Sequence, residues 1–443
     1  MGTTEILSNL GIETLNAMQQ DTMQAYRKSA NLVLISPTGS GKTLAYLLPL
    51  LESMGKSGGM AMVIVPSREL ALQTQQVVHS TKSGIRSVAV YGGRPAMEEH
   101  RTMKGVLPQL VVGTPGRLLD HLTKGNIDGS QVKTLIIDEF DKCLEMGFQE
   151  EMAKVFNHLK NVEKRMLLSA TDKPEITRFL PTYTRLDYAV DGDTSEGRIE
   201  EYIVPSPEKD KLHTLRSLLL ELGSDMSIVF VNYRESVDRV IKYLQQEGFH
   251  AVALHGGMEQ KERERALFRF ACGSVNVLVS TDLASRGLDI PEVGNVVHYH
   301  LSPNRESYIH RNGRTARWDK EGRAFVILGP EEDIRNFADA ERKNDFTVKH
   351  LPSASSDVHT QPMRPRWETL YIGRGKREKI SKGDIAGFLM KVGGLSKDEV
   401  GRIEVRDHYA YASVVRERVR EVLMLVKGQK IKGQRTLVEI ISK

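Results

Sequence analysis

Residues 36–43 read SPTGSGKT and follow an apolar run, NLVLIS, at 31–36. Gly39 and Gly41 let the backbone turn tightly and aim its N–H groups inward. Lys42 can then reach the β- and γ-phosphates of a nucleoside triphosphate, and the Thr43 hydroxyl can bind Mg²⁺. Ser36, Thr38 and Ser40 complete the loop, and a helix starting at its end turns its positive pole to the phosphates. The strict pattern asks for Gly where Ser36 stands.

A second group capable of chemistry lies at residues 134–143, TLIIDEFDKC. A short aliphatic run ends in Asp138, Glu139 and Asp141, and charges this close repel. A metal ion, a phosphate-bound metal or solvation at a strand end are the possible compensations. With a phosphate loop in the same domain, Asp138 is expected to hold the nucleotide's Mg²⁺. Glu139 is expected to orient or deprotonate the attacking water. Asp141 is the acid free to link neighbouring elements.

A third group is YIHRNGRTAR, 308–317. Arg311, Arg314 and Arg317 recur at threes, the spacing of one face of a helix or turn. Either this is a plain basic face, or it supplies the cation that stabilises a transferring phosphoryl group, worth roughly 10³–10⁵ in rate.

These groups need a scaffold. Apolar runs at 31–36, 60–66, 87–91, 109–115, 134–138 and 165–171 alternate with helix-like stretches. The runs are continuous rather than alternating, which marks a parallel sheet covered on both faces. The pattern restarts with runs at 227–232, 250–256, 276–282, 295–301 and 323–329. The second half has no phosphate loop, so two such domains imply one nucleotide, placed in the cleft between them. In an open α/β sheet the strand ends at the carboxyl edge line the ligand crevice, which puts Asp138 beside the loop.

Beyond a Pro/Ser-rich stretch at 351–367, the last residues read β-α-β-β-α-β, the split βαβ order of an RRM. The expected fold is therefore α/β, two parallel-sheet domains plus a small C-terminal RRM-like α+β domain. Domain boundaries are expected at 1–190, a linker 191–208, 209–350, a linker 351–367, and 368–443.

The chain has 443 residues and a net charge of +5. Residues 368–443 hold 17 Lys and Arg against 10 Asp and Glu, so this short segment is +7 and the rest of the chain is −2. A basic module on a near-neutral body points to an anionic partner. There is no apolar run of membrane-spanning length, no basic-then-apolar leader, and Ile6 breaks a myristoylation motif. Two cysteines, Cys143 and Cys272, make neither a disulfide framework nor a zinc site. A cytoplasmic monomer is the expectation, with no membrane partner.

Taken together, ten stretches resemble a DEAD-box RNA helicase of superfamily two across nearly all of residues 11–330. They are SPTGSGKT (36–43), PSRELA (66–71), GG (92–93), TPGR (114–117), DEFD (138–141), SAT (169–171), IVFVN (228–232), LHGGMEQKER (254–263), STDLASRGLD (280–289) and HRNGRTAR (310–317). The resemblance implies two RecA-like domains, ATP and Mg²⁺ as cofactors, and RNA as partner. It implies a triphosphate and metal role for Lys42 and Thr43, metal binding for Asp138 and catalysis by Glu139. Arg314 and Arg317 become arginine fingers, Gly287 and Asp289 nucleotide contacts, and Ser169 and Thr171 the link from ATP state to unwinding. Arg68, Gly93, Thr114, Arg117, Gly256, Arg263 and Thr281 fall on motifs that grip the RNA backbone, a readout with little sequence preference.

Four positions depart from the family. Phe140 stands where Ala is usual, Ala316 where Gly is usual, and Leu15-Asn16 where Pro-Thr is usual. Gln19 is retained, and its amide can pair with the N6 donor and N7 acceptor of adenine.

The last domain resembles the RNA-binding domain of the DbpA group of bacterial helicases, through GRGKREKISKGDIAGFL (373–389), VGGLSKDEVGRIEV (392–405) and GQKIKGQRTLVEI (428–440). That resemblance implies a structured element of large-subunit ribosomal RNA as target, during ribosome assembly. Arg374, Lys376, Arg377, Lys379, Lys430, Lys432 and Arg435 are the candidate phosphate contacts. Tyr409 and Tyr411 share one sheet face, where they either stack bases or fill structure. The reading is an ATP-dependent RNA helicase. The alternative is an ATP-gated RNA clamp or assembly factor that unwinds little, and the same motifs serve both. A hydrolysis-dead scaffold is disfavoured by the intact Lys42, Asp138, Glu139, Arg314 and Arg317.

Overall fold

The aliphatic runs fold as parallel strands whose side chains alternate between two covered faces. The computed structural model describes residues 2–37, 40–57, 59–93, 96–188, 199–282, 293–315, 321–334, 346–351 and 361–441, and it divides near residue 194 into two units.

In the first unit β1 (Asn31–Ile35), β2 (Met60–Ile64), β3 (Ser87–Val90), β4 (Leu110–Gly113), β5 (Val132–Ile137), β6 (Lys164–Ser169) and β7 (Thr184–Asp187) form one sheet of order β3-β4-β2-β5-β6-β1-β7. Every pairing is parallel. Leu32 and Leu34 pack on one face with Tyr46, Leu47 and Leu50 of the helix Lys42–Ser57. Val33 and Ile35 pack on the other with Leu118, Leu122 and Val155. Because the strands run one way, the segments that follow β1, β2, β3, β4, β5 and β6 all emerge at one edge, and those segments carry the motifs.

The second unit repeats the plan with β8 (Ile199–Pro205), β9 (Ser227–Val231), β10 (Ala251–Leu254), β11 (Val277–Thr281), β12 (Asn295–His298), β13 (Gly322–Leu328) and β14 (Thr347–Val348), in the order β10-β11-β9-β12-β13-β8-β14, again all parallel. Three strands of these two parallel sheets were not anticipated. β7 and β14 are mostly exposed edge strands with no apolar run. β8, IEEYIVP, lies inside the stretch 191–208 expected to be a linker, yet pairs with β13 over its whole length. Its two glutamates hide the apolar signal.

The last domain has β15 (Trp367–Ile372), β16 (Val400–Val405), β17 (Ala410–Val415), a hairpin of β18 (Lys430–Ile431) and β19 (Gln434–Arg435), and β20 (Val438–Ile440). β16-β17-β15-β20 form an antiparallel sheet. The helices Lys382–Lys391 and Val419–Val426 cover one face, closing over Leu370, Ile372, Ala410, Ala412 and Val414. Ser381 and Asp384 close a reciprocal cap on the first of these helices. Among the described residues no helix is long and apolar enough to cross a membrane.

A buried imidazole at the end of β12 makes the second unit acid-sensitive. His298 stacks on Tyr308, donates from Nε2 to Asn312 Oδ1 at 2.8 Å and faces the Ser302 hydroxyl at Nδ1. Burial first, then the nearby Arg311 charge, hold it down at about 3, and burial also lowers His300, to about 4. Both values lie below the ordinary 6.5. The unfolded chain therefore takes up these protons first, and stability present above pH 6.5 is lost as pH falls toward 3. The expected slope is about 1.4 kcal/mol per pH unit for each histidine. Urea unfolding between pH 7 and pH 4.5 tests it: His298→Asn should flatten the slope by about one proton, and an unchanged slope refutes the assignment.

Candidate functional site

The phosphate loop joins β1 to the helix Lys42–Ser57; Thr38 and Gly39 lie outside the described residues. Gly41 has φ +90°, and a Cβ there would lie 2.6 Å from Gln19 Nε2, so only glycine serves. The Lys42 ammonium is buried and donates to the carbonyls of Ser36 and Pro37, both at 2.6 Å. Burial pulls its pKa down, while Asp138, Glu139 and Asp141 push it back up.

Asp138 follows β5, buried to 2% exposure. Burial, then the Glu139 charge, raise its carboxyl to about 7, with Lys42 opposing. Glu139 adopts the left-handed conformation, φ 51°, ψ 52°, and its N–H donates to Asp138 Oδ1 at 2.9 Å. For a non-glycine residue that backbone costs about 1–2 kcal/mol, here at the junction between β5 and the helix that follows. A buried acid raised by a second carboxylate favours a divalent cation. The Thr43 hydroxyl and the Asp138 carboxylate are hard oxygen donors of the kind Mg²⁺ takes, and they are the residues that would hold it. Ser169 ends β6, its carbonyl accepting the Ser36 N–H at 3.0 Å and its hydroxyl donating to the Thr171 carbonyl at 2.6 Å. Thr171 Oγ1 lies 3.3 Å from Asp141 Oδ2, so Asp141 ties the acid cluster to the SAT segment.

The changes at Phe140 and at Leu15-Asn16 are accommodated. Phe140 is fully buried and meets Phe179 edge-on at 5.4 Å, with Phe156 behind it. Asn16 caps the helix Ala17–Lys28 by accepting the Gln19 N–H at 2.9 Å, and Gln19 Oε1 accepts the Asn16 N–H in return. Asn16 Nδ2 also donates to the Ser40 carbonyl and Gln19 Nε2 to that of Gly41, at 3.1 and 3.3 Å. The amide expected to read adenine thus also braces the phosphate loop.

The expected RNA contacts of the first unit gather at the same sheet edge. Arg68 opens the helix after β2, and its guanidinium lies so close to Gly93 (φ +94°) that a Cβ there would collide with it. Thr114 donates its N–H to the Val90 carbonyl at 3.2 Å, joining the ends of β3 and β4. Arg117 sits one turn further on. In the second unit Gly256 follows β10, Thr281 ends β11, and Arg263 is buried in the helix Gln260–Ala271. Arg234, which sequence reasoning missed, packs against Gly256 as Arg68 packs against Gly93. The signal was present: NYRES after β9 echoes PSREL after β2.

The arginine series is not one helix face. The helix Arg305–Asn312 stops before Arg314. Arg311 is 1% exposed and holds Asp282 through Nε (2.6 Å) and Nη2 (2.9 Å), Asn232 Oδ1 (2.8 Å) and the His300 carbonyl (2.9 Å). It braces three strand ends. Arg314 lies in the following turn, half-buried, and the Thr315 hydroxyl bonded to the Val293 carbonyl anchors that turn. Gly287, Asp289 and Arg317 lie outside the described residues, as does Ala316.

In the last domain the two basic runs meet. Lys432 Nζ donates to the Lys379 carbonyl at 2.9 Å and pairs with Asp384 at 2.8 Å. That pairing is the first cause holding Asp384 down at about 2. Lys376, Arg377, Lys379, Lys430 and Arg435 are exposed beside it, and Arg374 is 4.0 Å from Glu378. The tyrosine face serves a different purpose from base stacking. Tyr411 is 1% exposed and packs on Phe268 at 5.2 Å, beside Cys272 and Ile441. Tyr409 donates its hydroxyl to Glu264 at 3.1 Å, and the Lys261 ammonium lies over the Tyr371 and Tyr409 rings. Phe268, Lys261 and Glu264 all belong to the helix Gln260–Ala271, which carries Arg263. Arg416 extends the contact, donating to the Ser274 and Trp367 carbonyls at 3.0 and 2.7 Å. The sheet face is thus the seat of this domain on the second parallel-sheet domain.

Comparison with known proteins agrees with this domain organisation. Residues 16–179 match the DEAD/DEAH box helicase family, 210–319 the helicase conserved C-terminal domain and 369–440 the DbpA RNA binding domain. The ATP-dependent RNA helicase DbpA of Escherichia coli (strain K12) is 32% identical, over 98% of this chain and 96% of its own. That of Bacillus subtilis (strain 168) is 30% identical over 99% and 97%. Among solved structures, S. cerevisiae Dbp5 bound to RNA and ADP BeF3 superposes with a TM-score of 0.68 at 27% identity, covering 80% of this chain and 94% of that one. The two parallel-sheet domains are RecA-like.

Proposed function

Starting from the fact that this chain belongs to the DEAD-box ATP-dependent RNA helicases of the DbpA type, we propose that it unwinds short duplexes locally in large-subunit ribosomal RNA during ribosome assembly. The enzyme is an RNA-stimulated ATPase; the target and the residue roles are the proposal. The observation that carries it is the pair of basic runs joined at Lys432, on a domain seated firmly against the second RecA-like domain. A fixed seat holds the RNA near the helicase core and raises the core's effective concentration at one duplex.

Within the core, Lys42 and the loop N–H groups bind the triphosphate, and Thr43 and Asp138 hold Mg²⁺, which offsets phosphate charge when bound. Glu139 accepts the proton of the attacking water. Arg314 and Arg317 stabilise charge on the transferring phosphoryl group. Ser169 and Thr171 carry that change to Asp141 and to the strand ends that grip RNA. Arg68, Gly93, Thr114, Arg117, Arg234, Gly256, Arg263 and Thr281 hold the sugar-phosphate backbone. The enzyme acts as a cytoplasmic monomer.

The test is steady-state ATP hydrolysis with no RNA, a generic RNA duplex and large-subunit ribosomal RNA at one stated salt concentration. Strong stimulation by ribosomal RNA at concentrations where the generic duplex does little is expected. Equal stimulation removes the proposed target. Hydrolysis without strand displacement in a parallel duplex assay replaces unwinding with an ATP-gated clamp.

A further inference from the structure

Glu99 lies in the first unit, in the helix Ala96–Val106, away from the phosphate loop and outside every motif named above. It is buried to 5% exposure, yet its carboxylate takes three donors from two segments, the turn after β3 and the helix Pro115–Thr123. Oε1 accepts the Tyr91 N–H at 3.0 Å. Oε2 accepts Arg117 Nε–H at 2.6 Å and lies 2.9 Å from His121 Nε2. His121 is itself fully buried, and its Nδ1 accepts from Asn126 Nδ2 at 3.1 Å. That leaves the ring proton on Nε2, pointing at Glu99. Burial works to raise the Glu99 pKa, but the bonds from His121, Tyr91 and Arg117 outweigh it, so the group is held below the ordinary carboxylate range.

Two of the three donors belong to the expected RNA grip. Tyr91 immediately precedes Gly92-Gly93, against which Arg68 packs, and Arg117 closes TPGR. These loops leave adjacent strands, β3 and β4, and the Thr114 N–H to Val90 O bond also joins them at this edge. Arginine has many rotamers, and a charge-assisted bond to a fixed carboxylate selects one of them. We propose that Glu99 is a positioning residue for RNA binding: it fixes the Arg117 guanidinium and the Gly92-Gly93 backbone in one arrangement suited to consecutive phosphates. His121 acts as its brace. This rests on the reading that Arg117 contacts the RNA backbone.

The experiment compares Glu99→Ala, Arg117→Ala and the double variant in RNA-stimulated ATP hydrolysis, with RNA half-saturation measured across a salt series. Arg117→Ala is expected to raise the RNA concentration for half-saturation about tenfold and to reduce the log–log salt slope by about one, the signature of one lost phosphate contact. Glu99→Ala should reproduce both effects. The double variant should be no worse than about threefold beyond Arg117→Ala, because the two act as one unit. A purely structural role would lower melting temperature and turnover without moving the salt slope. Glu99→Gln carries the same test if the alanine variant does not fold, since one amide oxygen cannot serve all three donors. An effect of Arg117→Ala with none from Glu99→Ala or Glu99→Gln overturns the positioning role alone. No effect of Arg117→Ala overturns the reading of Arg117 and the inference with it.

Discussion

Replacing Glu139 with Gln should reduce ATP turnover by about 10²–10⁴ while leaving ATP and RNA binding in place. Gln keeps the shape and the hydrogen-bonding reach of the side chain but cannot accept a proton from water. The backbone argues that this position is built for its side chain: φ 51° is a conformation most residues avoid, and Glu139 is held there at the end of a buried strand. The same substitution has a second expected result, of opposite sign. The Glu139 charge is the second cause, after burial, of the raised Asp138 pKa. Asp138 titrates at about 7 in the folded chain against an ordinary 3.8, so the folded state binds its proton more tightly than the unfolded state. Stability from that group is full below the ordinary value and is lost as pH rises toward 7. Removing the neighbouring charge relieves part of the loss, so Glu139→Gln without nucleotide should melt higher than the parent at pH 8 and no higher at pH 4. Single-turnover hydrolysis and thermal melts at the two pH values read both effects. Undiminished turnover would remove Glu139 from the catalytic role.

Most of the fold was legible because its strands are buried on both faces. A strand covered twice has no polar face, so 31–36 or 227–232 can be read directly from aliphatic content. β7, β8 and β14 were not legible for the reverse reason: they sit at or next to a sheet edge and carry charge on the wetter face. The site divides along similar lines. Lys42, Thr43, Asp138 and Glu139 cluster in short motifs whose spacing encodes their chemistry. Arg311 was grouped with Arg314 because spacing at threes suggests one helix face, but spacing is silent on where a helix ends, and this one ends at Asn312. Glu99 and Glu264 were invisible because their partners are distant in sequence. Tyr409 and Tyr411 show the same limit from another side. Alternation placed both rings on one sheet face, and only the packing of Phe268 and Glu264 against them says that the face meets protein.

Removing residues 368–443 should keep ATPase activity at high concentrations of generic RNA and abolish preference for the cognate RNA. The seat of the last domain makes the deletion a compound change. Phe268, now 3% exposed, and Cys272 would be uncovered, and Glu264 would lose the Tyr409 hydroxyl. Exposing a buried aromatic side chain costs about 1.5–3 kcal/mol, so the truncated core should also melt lower and associate more readily. A charge-reversal variant separates the two consequences. Reversing Lys376, Arg377, Lys430 and Arg435 to Glu touches exposed side chains and leaves Tyr411, Arg416 and the Lys432–Asp384 pair intact. Its melting temperature should stay with the parent. Its half-saturation by cognate RNA should nevertheless rise to the generic value, and its log–log salt slope should fall by about three to four. Parent-like preference in this variant, with the deletion still losing it, would place recognition elsewhere on the domain. Parent-like preference in both would return specificity to the RecA-like core, whose proposed grip on a backbone common to every RNA would then have to be revised.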